Sequence, residues 1–370
     1  MKYYIIAGEA SGDLHGSNLM KAIREVDPDA AFRFWGGDCM QQQGGQLIRH
    51  YRDLAFMGFI EVVANLRTIA GNLRFCKQDL DEYRPDALIL IDYPGFNLRI
   101  AEYAHQQGIR VFYYISPQVW AWKKGRVKTI RQVVDKMFVI LPFEKDFYLE
   151  YDYEVEFVGH PLLDAFEDYP FMKEGEFLQK NNLDSRPIVA MLPGSRKQEI
   201  SKMLHVMLSV VPFYKEFQFV VATAPSVEKE FYRKLLGNRD VQMVENQTYN
   251  LLKYSYAAMV TSGTATLETA LLEVPEVVCY KGNFFSYHIA KNIVDVKYIS
   301  LVNLIADKEV VKELIQNDLN VKNLKKQLDL LLFNRELRKR MIGDFKDLKR
   351  KLGGTGASRK TAGIIYQMLK

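Results

Sequence analysis

Five short segments of this chain gather residues that can bind or move charge, and each follows a run of apolar residues. They are Gly8-Glu9-Ala10-Ser11-Gly12-Asp13, Asp92-Tyr93-Pro94-Gly95-Phe96-Asn97, Ser116-Pro117-Gln118-Val119-Trp120-Ala121-Trp122, Leu192-Pro193-Gly194-Ser195-Arg196 and Ser262-Gly263-Thr264. Gly194 and Ser195 let the backbone close on an anion, and Arg196 adds a planar, permanently charged fork. Ser262, Gly263 and Thr264 open a helix whose first amides lack internal partners and attract phosphate. The plainer reading of each is a strand-to-helix turn capped by a hydroxyl. Glu268 lies about one turn further in, where a carboxylate can accept from both ribose hydroxyls or merely complement the helix dipole. Asp92 ends a Leu-Ile-Leu-Ile run and suits either a general base or a turn ahead of Pro94. No Walker pattern and no Gly-x-Gly-x-x-Gly occurs, which argues against P-loop kinases and ordinary dehydrogenases.

The elements that must position these segments alternate. Strands are expected at Tyr3–Ala7, Phe32–Trp35, Ala87–Ile91, Arg110–Ile115 and Met137–Leu141, then at Ile188–Leu192, Phe217–Ala222, Val241–Glu245, Ala257–Val260 and Glu276–Tyr280. Helical patterns at Gly16–Val26, Phe59–Tyr83, Leu98–Gln107 and Ala265–Glu273 fall between them. Near-continuous apolar strands separated by helices predict parallel sheets covered on both faces. A polar stretch from about Asp164 to Arg186 divides the pattern into two doubly wound, Rossmann-like α/β domains. In such sheets ligands bind outside the carboxyl ends of the strands, where all five segments lie. The Asp79-Leu80-Asp81 triplet sits inside a helical pattern and reads as a solvated face, so no metal site is expected. His160, in Gly-His-Pro, reads as a structural histidine, and His288 is likewise left out of the catalytic set.

Composition narrows the class. With 370 residues, 48% hydrophobic and 26% charged, the chain suits two globular domains. Its three cysteines, Cys39, Cys76 and Cys279, form neither a disulfide framework nor a metal-ligand pattern, which points to a reducing compartment. No stretch approaches the roughly 20 apolar residues of a membrane span. The net charge of +5 is modest, and no nucleic-acid partner is expected. One dense basic cluster, Lys123, Lys124, Arg126, Lys128 and Arg131, follows Trp120 and Trp122. The tail from about Arg335 is also strongly basic.

Taken in order, the motifs resemble those of the lipid-A-disaccharide synthase family, inverting glycosyltransferases of the GT-B type. To the five segments are added Met57-Gly58-Phe59-Ile60-Glu61-Val62, Leu141-Pro142-Phe143-Glu144-Lys145, Gly159-His160-Pro161, the extension of the Ser262 segment to Glu268, and Tyr298-Ile299-Ser300-Leu301-Val302-Asn303-Leu304-Ile305-Ala306. The resemblance implies two Rossmann-like domains facing a central cleft. Residues 1–165 would form the acceptor and membrane-facing domain and 186–340 the UDP-sugar domain, with 341–370 returning as helices to an N-terminal domain, its own or that of an exchanged homodimer. The implied reaction transfers 2,3-diacylglucosamine from UDP to the 6-hydroxyl of 2,3-diacylglucosamine 1-phosphate, giving the β-1,6 lipid A disaccharide 1-phosphate and UDP, with no cofactor.

On that footing Asp92 becomes the base and Arg196 the stabiliser of the leaving diphosphate. Gly194, Ser195, Ser262, Gly263, Thr264, Glu268 and Asn303 hold the nucleotide, and Ser11, Gly12 and Asn97 contribute loop contacts in the first domain. Gly95 stands where many members carry a second Asp, and Gly36-Gly37-Asp38 replaces a Gly-Pro-basic segment. Acylated substrates imply a cytoplasmic enzyme held peripherally on the inner face of a Gram-negative inner membrane, an anionic surface. Phe56, Met57, Ile60, Trp120, Trp122, Lys123, Lys124 and Arg126 form the expected patch; a core tryptophan pair followed by a solvated basic helix is the plainer alternative. Two rival functions stay open: another GT-B enzyme such as a UDP-sugar epimerase, and a non-catalytic binder of anionic membranes.

Overall fold

The computed structural model describes residues 1–53, 66–120, 124–167, 169–282 and 297–370. Phe56, Met57, Ile60, Trp122, Lys123 and His288 lie outside these residues. The chain divides into two compact units, Met1–Asp168 with Leu352–Lys370, and Tyr169–Lys351.

In the first unit seven strands form one parallel sheet: β1 (Lys2–Ala7), β2 (Ala31–Gly36), β3 (Gln46–His50), β4 (Ala87–Ile91), β5 (Arg110–Tyr114), β6 (Lys136–Val139) and β7 (Glu156–Phe157), ordered β3-β2-β1-β4-β5-β6-β7. In the second unit β8 (Ile188–Leu192), β9 (Gln218–Thr223), β10 (Val241–Glu245), β11 (Ser255–Thr261), β12 (Glu276–Tyr280) and β13 (Lys312–Ile315) are ordered β10-β9-β8-β11-β12-β13, again parallel. The central strands β1, β4, β8 and β9 are buried almost throughout, as parallel strands sandwiched between helices require. All ten expected strands are present. The three unforeseen ones, β3, β7 and β13, are edges: short, half-exposed and without an apolar run.

The polar stretch after Asp164 is not a bare linker. It holds the helices Pro161–Glu167 and Glu174–Lys180, and Phe177 is fully buried in the second core. The returning segment also begins later than residue 341. The helix Arg335–Lys351 stays with the second unit through buried Met341, Phe345 and Leu348, and only Leu352 onward joins the first. There the helix Ala357–Leu369 packs on Ala10–Val26. Its N-terminus is held by Asp164, whose carboxylate accepts from Gly356 N at 2.6 Å and Ser358 N at 3.0 Å.

Asp79 and Glu276 are among the buried acidic residues, the first of them against expectation. Asp79 is not a solvated residue: it is buried, accepts from the Tyr4 hydroxyl at 2.6 Å and pairs with Arg33. Asp81 does face solvent, beside Tyr103. Glu276 is fully buried at the start of β12, and neither carboxylate oxygen has a hydrogen-bond partner among the described residues. Burial alone pushes its carboxyl well above the ordinary 4.5. The folded state therefore keeps a proton that the unfolded chain loses, and stability falls as pH rises above about 4.5. Glu276→Gln removes this cost. Its melting temperature should match or modestly differ from wild type at pH 4 and exceed it increasingly toward pH 8, by thermal denaturation. A constant difference across that range would count against a buried protonated Glu276.

Candidate active site at the two switch points

The strand order of the first sheet reverses between β1 and β4, so the segments that follow these strands are neighbours. Gly8 is tight against the segment after β4: a Cβ there would lie 2.4 Å from the Tyr93 ring. Asp92 and Tyr93 both adopt left-handed conformations, φ 44° and 49°, and Ile115 after β5 does so too, φ 66°. Three residues in this sparsely populated region, at the carboxyl ends of the adjacent strands β4 and β5, mark segments held in place by their surroundings. The holding contacts are specific. Asp92 O accepts from Asn97 Nδ2 at 2.7 Å and from the Tyr113 hydroxyl, while Asp92 N donates to Ile115 O. Burial, together with the charge of Glu9, pushes the Asp92 carboxyl up to about 7, which suits a group exchanging a proton near neutrality.

The second sheet reverses between β8 and β11, which sets residues 193–196 beside 262–264. Thus the two segments with phosphate-binding character meet at one switch point. Gly194, at φ 110°, carries no Cβ because Glu199 fills that space, and Glu199 accepts from Ser195 N at 3.1 Å. A carboxylate of the chain thus sits where an anionic ligand would approach. Arg196 is exposed at the N-terminus of the helix Lys197–Leu208. Ser262 donates its hydroxyl to Ile299 O at 3.0 Å. Gly263, at φ 149° and with nothing among the described residues within 4 Å of where a Cβ would stand, precedes the helix Thr264–Leu271, which has no side-chain cap among them. Glu268 is drawn against Tyr249, whose hydroxyl donates to it at 3.1 Å, and burial pushes its carboxyl up to about 6. It stands beyond the first turn, where the helix dipole has faded.

Several expected contacts have other roles. Asn303 is fully buried and occupied: Val310 N and Val311 N donate to Oδ1 at 2.8 and 3.0 Å, and Nδ2 donates to Val311 O and Glu313, each at 2.9 Å. It pins the segment before β13, with both amide hydrogens and the amide oxygen of its side chain in use there. Asn97 is buried and Gly12 is pressed against Ala7 and Ile91, so both position the loops; Ser11 alone of that trio is exposed. Trp120 is buried edge-on against Phe143, 4.9 Å between centroids, and is no surface anchor. Lys124 is exposed and Arg126 half-exposed. Asp13 accepts from Gly37 N, Cys39 N and Met40 N and so caps a short helix. His160 is buried, its Nδ1 accepting from Leu162 N, and burial pushes it down to about 3, in keeping with a structural role.

Four residues without an assigned role in the sequence complete the arrangement. Glu9 acts on Asp92 only because β1 lies beside β4, and Tyr249 orients Glu268 across sequence distance. Glu313 gathers Ile299 N, Ser300 and Asn303. Glu199 had a signal: a carboxylate in the first turn after a Gly-Ser pair.

A family model described as lipid-A-disaccharide synthetase matches residues 3–363. Among similar proteins, the lipid-A-disaccharide synthase of Syntrophus aciditrophicus is 40% identical, covering 99% of this chain and 97% of its own length. That of Geobacter sulfurreducens is 38% identical over 99% and 96%, and that of Coxiella burnetii 34% over 99% and 98%. Among solved structures, the UDP-GlcNAc 2-epimerase of Neisseria meningitidis bound to UDP-GlcNAc superposes with TM-score 0.69 at 14% identity, covering 99% of this chain and all of that one. The glycosyltransferase of kitacinnamycin gives 0.67 at 12% identity over 100% and 99%.

Proposed function

This chain belongs to the lipid-A-disaccharide synthetase family, and on that premise we propose how its own residues carry the reaction. It is a glycosyltransferase of GT-B fold that forms the lipid A disaccharide. The epimerase likeness, at 14% identity, is one of fold. We assign the donor as UDP-2,3-diacylglucosamine and the acceptor as 2,3-diacylglucosamine 1-phosphate.

One observation carries the assignment of the base: the Asp92 carboxyl at the switch point of the first sheet, pushed up to about 7 beside Glu9. Ionised, it accepts the proton of the acceptor 6-hydroxyl as that oxygen attacks the anomeric carbon. The bond from this carbon to the UDP oxygen breaks on the opposite face, which inverts the centre. UDP leaves with the electron pair, and the proton passes from Asp92 to water. Arg196 and the amides at Gly194, Ser195, Gly263 and Thr264 take up the charge that develops on the diphosphate. Glu268, oriented by Tyr249, accepts from the ribose hydroxyls. Ser11, exposed after β1, is assigned to the acceptor side. No redox or group-carrying cofactor enters this displacement.

No helix among the described residues is long and apolar enough to cross a membrane. Both substrates are acylated, which favours peripheral attachment to the cytoplasmic face of an anionic inner membrane, with Lys124, Arg126 and Lys123 contributing charge. The contact of Ala357–Leu369 with Ala10–Val26 is the one that an exchanged homodimer would make between chains. A turnover assay with the two acylated substrates, following UDP release and the disaccharide product, tests the reaction. Conversion of UDP-GlcNAc to a 2-epimer, with no disaccharide formed, would overturn it.

Glu9 tunes the base. Its charge raises the Asp92 carboxyl, so Glu9→Gln should move the acidic limb of the kcat/KM profile below the wild-type position near pH 7. An unmoved limb in the folded variant would separate Glu9 from Asp92.

A further inference from the structure

The helix Val321–Phe333 turns Leu324, Leu328, Leu331 and Leu332 inward. Lys322, Lys325, Lys326, Asp329 and Phe333 follow one another at i, i+3, i+4, i+7 and i+11, a single outer stripe. Phe333 is 56% exposed and Phe213, from the turn Val211–Phe213, is 55% exposed. These two rings share a neighbourhood around Tyr214, which lies 6.5 Å from Phe333 between centroids. The Lys325 ammonium stands 5.6 Å from the Tyr214 ring and 5.8 Å from the Phe213 ring. A shallow groove of about 790 Å³ runs between the helix and Arg335, lined by the same lysines, Leu330 and Phe333. Residues 321–351 hold eleven Lys and Arg against four Asp and Glu, a net of +7, whereas the whole chain carries +5. All of the net positive charge therefore sits on these two helices, and the remainder of the chain is slightly acidic.

We propose that this face of the second unit docks onto an anionic phospholipid bilayer. The proposal rests on the acylated-substrate reading above and extends it to a unit to which that reading gives only the nucleotide. Exposed aromatic rings suit headgroup depth, and lysines on long stems reach lipid phosphates while their methylenes cover the rings. A shallow, open groove ringed by Lys322, Lys326, Arg335 and the Asp329-paired Lys325 fits a fluid surface better than the enclosed apolar centre that a folded partner needs. The orientation also works. The helix begins just after the carboxyl end of β13 and ends at Phe333 beside Phe217 and Tyr256, at the amino ends of β9 and β11. Contact along its length lays the strands flat on the surface and leaves the carboxyl ends, with Arg196 and Gly263, uncovered.

The test uses the full chain and sedimentation with phosphatidylethanolamine–phosphatidylglycerol vesicles, with phosphatidylcholine vesicles as the neutral arm. Lys322→Glu combined with Lys326→Glu, and separately Phe213→Ser combined with Phe333→Ser, should each weaken binding to the anionic vesicles about tenfold or more. Neither pair should change melting or the rate on detergent-solubilised substrates. Added salt should weaken wild type more than the charge-reversed pair. Variants that melt like wild type and sediment with anionic vesicles as well as it does would overturn the proposal. So would a serine pair that dissociates a dimer while vesicle binding stays intact, since a second copy would then own the surface. A wild-type chain that binds vesicles through this face but makes no disaccharide would sink the assigned reaction and leave the docking surface standing.

Discussion

Asp92→Asn should lower kcat by about 10²–10⁴-fold, the range for loss of a positioned general base, with UDP affinity and melting temperature unchanged. Asparagine is the informative replacement because Asp92 sits at φ 44°, a conformation that Asn tolerates and that Ala adopts only under strain. The backbone anchors from Asn97, Tyr113 and Ile115 act on Asp92 main-chain atoms and survive the exchange. Only the carboxylate is lost. In wild type the base works when ionised, so the rate should rise with pH and level off above about 7, the value to which burial and Glu9 push this carboxyl. The residual rate of the variant should have lost that limb. A folded Asp92→Asn enzyme with near-normal kcat would remove Asp92 from the chemistry and leave it as a turn residue ahead of Pro94.

What the sequence made legible followed from local rules. Buried parallel strands such as Ala87–Ile91 and Ile188–Leu192 announce themselves as apolar runs, and ligand-bearing segments follow their carboxyl ends. Three of the four edge strands, β3, β7 and β13, escaped because they bury too little to leave a pattern. The site was half legible for a different reason. Residue type distinguishes what a side chain can do, but not which of its options the fold has already used. Asn303 could bind a nucleotide by type, yet its amide is spent on Val310, Val311 and Glu313. Trp120 could sit in a membrane by type, yet it packs against Phe143. Conversely Glu9 and Tyr249 matter through neighbours distant in sequence, and strand order alone brings Glu9 to Asp92.

Arg196→Ala should lower kcat by about 10²–10³-fold, the cost of removing one donor aimed at charge that develops in the transition state. Glu199 accepts from Ser195 N and covers Gly194, so one backbone donor of this segment is already engaged by a carboxylate of the chain. A diphosphate must displace that carboxylate or share the donor with it, at the expense of like-charge repulsion. Arg196, exposed at the head of the helix Lys197–Leu208, is the permanent cation that makes the exchange favourable. Its guanidinium gains most when the sugar bond breaks and a further negative charge arrives on the β-phosphate of UDP. Loss should therefore fall on kcat more than on KM. Glu268→Ala, which removes a ribose contact made equally before and after bond breaking, should show the opposite division: weaker UDP binding by calorimetry with a smaller change in kcat. EDTA should leave the wild-type rate unchanged if Arg196 and the helix amides carry the diphosphate charge. An Arg196→Ala enzyme of normal kcat that stops in EDTA would transfer the leaving-group role from Arg196 to a metal ion.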